Sequence, residues 1–112
     1  MPFRPTESSL PLTPISFEIL LAVIDGAHHG YAILQTVEAR LGGILPLRTG
    51  TIYRALARLM EEGLIEEAAA SDDERRRNYR ITAHGKAIAR AEAKRLADQV
   101  ARARRLLPEP RR

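Results

Sequence analysis

Apolar side chains recur along this chain at the 3.6-residue period of an α-helix in four separate stretches. In the first, Phe17, Leu20, Leu21 and Ile24 stand at i, i+3, i+4 and i+7, the spacing of one buried stripe. Thr13 offers an N-cap hydroxyl, and Pro14 suits a first helical turn whose amides have no intrahelical acceptor anyway, so a helix is expected from Pro14 to about Ile24. In the second, Tyr31, Leu34, Val37 and Leu41 are spaced by three, three and four and are followed by Gly42 and Gly43, which end the run. The third places Ile52, Leu56, Leu59 and Met60 on one face and Thr51, Arg54 and Arg58 on the other, with Thr49 as the expected cap and Gly63 as the stop.

After that third helix the period changes. Residues 64–68 and 79–82 are short, strand-like runs on either side of a highly charged stretch, so a two-stranded hairpin with a long tip is expected. A fourth helical stretch, capped by Thr82, runs to about Leu107 and would be on the order of 37 Å long at 1.5 Å per residue. Along it Ala89, Ala93, Leu96, Val100, Ala103 and Leu107 alternate spacings of four and three, the seam of a coiled coil. Ile88 is expected to pack on its own domain, but beyond about Leu96 no further element of the chain remains to cover the stripe. Dimerisation through this seam is therefore expected.

Residues 1–12 carry Pro2, Pro5 and Pro11 and no helical repeat, and are expected to form a flexible arm; residues 108–112 are expected to be a disordered tail. Helix, helix, helix, strand, wing, strand, helix is the order of a winged helix-turn-helix, an α+β class that is mostly α, with a long C-terminal dimerisation helix. The expected division is a DNA-binding domain over residues 13–82 and a dimerisation helix over residues 83–107.

Composition narrows the partners. At 112 residues and 45% hydrophobic content the chain supports one modest core, with no room for a separate catalytic domain. Lys+Arg number 18 against 14 Asp+Glu, a net charge of +4, which favours an acidic partner because several arginines are clustered. There is no cysteine, hence no disulfide and no thiolate metal site. No apolar run is long enough for a signal peptide or a membrane helix, so a cytoplasmic location is expected.

The third helix holds the residues suited to duplex DNA. Arg48, Thr49, Gly50, Thr51, Tyr53, Arg54 and Arg58 are expected to face it: Gly50 lets backbone amides approach a phosphate at the positive end of the helix dipole, the threonine hydroxyls add donors, and Arg54 and Arg58 reach base edges or phosphates. Tyr53 suits a core position equally well, and Arg58 a solvated one. At the wing tip Arg75, Arg76 and Arg77 are expected to track the phosphate backbone of a palindromic operator or to enter its minor groove, although Asp72, Asp73 and Glu74 precede them and weaken the local field. His28 and His29 beside Asp25 find no third ligand at suitable spacing, and read as turn-capping residues rather than a metal site. No phosphate loop, nucleophile elbow, paired catalytic carboxylates or zinc-binding helix motif appears, so neither an enzyme nor a bound cofactor is expected.

Several ordered motifs together resemble the PadR family of bacterial transcriptional regulators: His29-Gly30-Tyr31, Gly50-Thr51-Ile52-Tyr53, Leu56 through Gly63-Leu64-Ile65, and Tyr79-Arg80-Ile81-Thr82 before Gly85. The resemblance spans about residues 17–107 and points to the short members with one C-terminal dimerisation helix. It departs at Arg54, where the family usually has proline. It implies a homodimeric repressor released by a small, often aromatic effector. Some similar proteins hold flat aromatic drugs with tryptophan, which this chain lacks, and the effector pocket is expected near Phe17, Leu21, Leu96 and Val100. The competing reading is a winged-helix adaptor that binds protein without recognising a DNA sequence.

Overall fold

The computed structural model describes residues 10–26, 29–44, 47–68 and 77–110. The elements follow the expected order: α1 (Pro14–Ile24), α2 (Gly30–Leu41), α3 (Thr49–Glu61), β1 (Ile65–Glu67), β2 (Tyr79–Ile81) and α4 (Ala83–Leu106). α1 lies at the centre and packs against α2, α3, α4 and β2. Its buried residues Ile19, Leu20 and Val23 meet Ile33, Leu34 and Val37 of α2, Ile52, Leu56 and Leu59 of α3, Leu64 and Ile65, and Ile88 of α4 in one cluster.

Local chemistry fixes the ends of these helices. The Thr13 hydroxyl accepts from the Ser16 amide at 3.1 Å, and the Thr82 hydroxyl accepts from the Gly85 amide at 2.9 Å, each satisfying a donor at a helix start. α3 begins one residue earlier than a Thr49 cap would require: Arg48 is the N-cap, in extended backbone and with no side-chain bond to the helix, and Thr49 is the first helical residue. Its stop is Gly63, whose φ of 75° lies in the left-handed region that a side chain disfavours.

β1 and β2 are antiparallel, with Ile65 opposite Ile81, Glu66 opposite Arg80 and Glu67 opposite Tyr79. The Glu66 and Arg80 side chains meet at 2.8 Å on the exposed face, a cross-strand pair of the kind that favours a register. Main-chain bonds from Ala68 to Asn78 (2.9 Å) and from Thr82 to Leu64 (3.0 Å) carry the pairing beyond both ends of the ladder.

Two expectations fail where the chain meets α4. Residues 10–12 are no part of a flexible arm, because Leu12 is buried in the core and its amide donates to the Glu92 carboxylate at 3.1 Å. Ala89 leaves the dimer seam, since it is buried beside Ile88 in its own protomer. Glu92 is buried as well, and it accepts from Arg95 Nε at 2.6 Å and Nη2 at 3.0 Å.

The hydrogen bonds from Arg95, reinforced by its charge and by the Leu12 amide, hold the Glu92 carboxyl below the ordinary glutamate value against the opposing effect of burial. A carboxylate lowered by folding stabilises the fold at neutral pH, and that contribution is lost as the pH falls through the ordinary glutamate range to the lowered value. The thermal midpoint is therefore expected to drop on acidification, and Glu92→Gln to flatten that drop in calorimetry from pH 7 downwards. An unchanged descent in the variant would remove this role for Glu92.

Candidate nucleic-acid interface

α3 divides its residues between two sides. Ile52, Leu56 and Leu59 are buried against the domain, whereas Arg48, Thr49, Gly50 and Arg54 are exposed and Thr51 is half-buried. Its first turn holds no acidic residue and no side-chain cap, so the positive end of the helix faces outward unneutralised. Arg54 folds back over that turn: its Nη2 lies 3.4 Å from the Thr51 hydroxyl, and a methyl group at Gly50 would stand 3.4 Å from its Nη1. Guanidinium, hydroxyl and open backbone are thereby gathered within one helical turn, a donor array suited to phosphate oxygens and to the acceptor edge of guanine.

Tyr53 is not a core aromatic; the residue is 44% exposed. Its ring and that of Tyr79 flank Gly30, where an added methyl would lie 3.6 and 3.7 Å from them. There the start of α2 meets the wing, and His29 and Asn78 form an isolated antiparallel bridge. A cleft of about 560 Å³ opens at this junction, lined by His29, Tyr31, Gln35, Tyr53, Arg77 and Tyr79. The sequence motifs pair His29 with Tyr31 and isolate Tyr53, but only the folded hairpin brings Tyr79 and Arg77 to them. His29 N-caps α2 through its backbone without a side-chain cap bond, contrary to the expected turn-capping role, and its Nδ1 is buried without a hydrogen-bond partner among the described residues. His28 lies outside the described residues.

The arginines divide by environment. Arg58 Nε is held by Glu62 at 2.9 Å and borders a small depression beside Pro11 and Leu12, away from the α3 start. Arg77 is exposed and reaches Glu67 at 3.6 Å, an ion pair that solvent screening leaves weak and easily exchanged for a phosphate. Arg75 and Arg76 lie outside the described residues.

Beyond Glu92, α4 keeps an apolar stripe. Ala93 and Val100 are exposed and Leu96 and Ala103 half-buried, while Leu107, just past the helix, is 73% exposed. Phe17, Leu96 and Val100 line an open surface depression with Ala93 and Ala97, but Leu21, expected in the same pocket, is not among its lining residues. Among the described residues no group of three or more His, Cys, Asp or Glu side chains is placed to hold a metal ion, and no helix is long and apolar enough to cross a membrane.

Three helices, a two-stranded wing and a long terminal helix, with a cationic hydroxyl-bearing face on the third helix, define the winged-helix class of transcription regulators. The profile of the Transcriptional regulator PadR-like family matches residues 19–91, and the chain belongs to that family. The fold is also that of solved regulators. A PadR family transcription regulator from Clostridium difficile R20291 superposes with a TM-score of 0.70 at 21% identity, over 85% of this chain and 99% of that one. The PcaV transcriptional regulator from Streptomyces coelicolor gives 0.68 at 24% identity, over 87% of this chain and 66% of its own length. ZitR of Lactococcus lactis, a zinc-responsive MarR family member, gives 0.63 at 21% identity, over 90% of this chain and 65% of its own. No curated protein sequence matches the chain. It is a DNA-binding transcriptional regulator.

Proposed function

We propose that the protein is a homodimeric, cytoplasmic repressor in which two copies join through α4 and present their α3 helices to the half-sites of a palindromic operator. The observation that carries this reading is the outward face of α3, where Arg48, Thr49, Gly50, Thr51 and Arg54 stand opposite the buried Ile52, Leu56 and Leu59. A two-fold pair of such helices matches successive major grooves about one helical turn apart. In this reading Tyr53 and Arg77, with Arg75 and Arg76, contact the flanking backbone, and Arg58 serves the helix surface through Glu62. The second copy covers Ala93, Leu96, Val100, Ala103 and Leu107, a stripe that no described element of the same chain closes. A small aromatic effector is taken into the depression at Phe17, Leu96 and Val100, next to that seam, and releases the operator by changing how the two copies sit.

Binding of the purified protein to genomic fragments at physiological salt tests the reading, since an adaptor without sequence recognition shows no preferred fragment. On the operator so found, Arg54→Ala is expected to cost about 1–3 kcal/mol and to weaken operator more than random duplex. Arg77→Ala is expected to weaken both alike and to reduce the slope of affinity against salt by about one. Equal losses from the two substitutions on both duplexes would remove this division of roles.

A further inference from the structure

α4 leaves the body of the protein at Glu92. Its buried residues are Gly85, Ile88, Ala89 and Glu92, and among the described residues none after Glu92 is buried. The last anchor of the helix is therefore a carboxylate, only 1% exposed, at a place where an aliphatic side chain would avoid the cost of desolvating a charge. What the carboxylate supplies instead is direction. Apolar contact is indifferent to angle, whereas a hydrogen bond weakens steeply as it bends.

Glu92 is held from two sides. The Leu12 amide reaches it at 3.1 Å from the segment before α1, and Arg95 grips it through two nitrogens at 2.6 and 3.0 Å from the next turn of α4. Leu12 is itself fixed in the core, and the same segment lies beside Leu59 at the far end of α3. One buried group thus ties the exit of α4 to a strap that also touches the recognition helix.

We infer that Glu92 is a positioning residue that sets the angle at which α4 leaves the DNA-binding body. If α4 joins two copies as proposed above, and only this consequence rests on that reading, the angle fixes the separation of the two α3 helices and so the half-site spacing the protein accepts. About 20 Å of helix lies beyond Glu92 at 1.5 Å per residue, so a swing of roughly 10° there displaces the tip by about 3 Å.

The chain has no cysteine, so spin labels can be placed at Ala57→Cys on α3 and Arg105→Cys near the end of α4, both exposed positions. With labelled chains diluted in unlabelled protein, pulsed dipolar spectroscopy reads the distance within one chain. A narrow distribution is expected in the otherwise unaltered chain. Glu92→Met is expected to widen it by about 3 Å, and Glu92→Gln, which keeps an acceptor for the Leu12 amide, to fall between the two. A role confined to stability would lower the melting temperature and leave the width of the folded chain unaltered. The wild-type distribution in folded Glu92→Met overturns the inference; should that variant not fold, Arg95→Ala, at a more exposed position, is read in the same way. Failure of the unaltered protein to prefer any operator would sink the DNA reading while leaving this distance measurement intact.

Discussion

Gly85→Ala is expected to cost the domain about 3–5 kcal/mol, most of the stability available to a chain of this size. A methyl group at that position would overlap the Leu64 carbonyl oxygen and stand 2.8 Å from Ile81 Cγ1. Neither neighbour can yield cheaply. The Leu64 carbonyl already accepts from the Thr82 amide at 3.0 Å, and the Thr82 hydroxyl sits 3.1 Å from it and 2.6 Å from the Gly63 carbonyl. Ile81 closes the hairpin opposite Ile65. Relief would require the first turn of α4 to lift away from the root of the wing, exposing Ile88 and Ala89. Thermal or urea unfolding measures the loss, with Gly43→Ala as the control, since a methyl there meets nothing within 4 Å. A variant at position 85 as stable as that control would show that the helix and the wing root are not in close contact.

The second large effect concerns assembly. Leu96→Glu combined with Val100→Glu is expected to leave the protomer folded, because Leu96 is half-buried and Val100 is 47% exposed. In a dimer both carboxylates would be forced into an apolar seam, where an unpaired charge costs several kcal/mol. Sedimentation at micromolar concentration should then show a single chain where the unaltered protein shows two. Losing the linkage between two binding units removes their effective concentration for one another, so operator affinity should fall by about 100-fold or more. A variant that still sediments as two chains would place the dimer interface elsewhere.

Local signals carried most of the architecture into the sequence. Thr13 and Thr82 could be read as caps because the bond each makes lies within three residues, and Gly63 could be read as a stop because a left-handed residue is a local demand. The α3 face was legible because Ile52, Leu56 and Leu59 leave only one orientation for Arg54. Long-range partnerships were not. Leu12 sits among prolines and reads as arm, yet its amide finds Glu92, 80 residues away. Glu92 itself stands among Lys94 and Arg95 on a charged helix and carries no mark of burial. Ala89 fits both a seam and a core, and the choice depends on how far along α4 the body of the protein extends. Arg48 displaced Thr49 as the cap by one position, a shift that propensity does not resolve. The cleft between Tyr31, Tyr53 and Tyr79 joins three elements, and no spacing along the chain encodes it.

Thr82 ends the wing and starts α4 at once: its amide closes the strand pairing on Leu64, and its hydroxyl caps the helix at Gly85. No linker intervenes between the two. The root of the wing and the first turn of α4 are therefore one piece, and neither can turn against the wall of the domain at Leu64 without carrying the other.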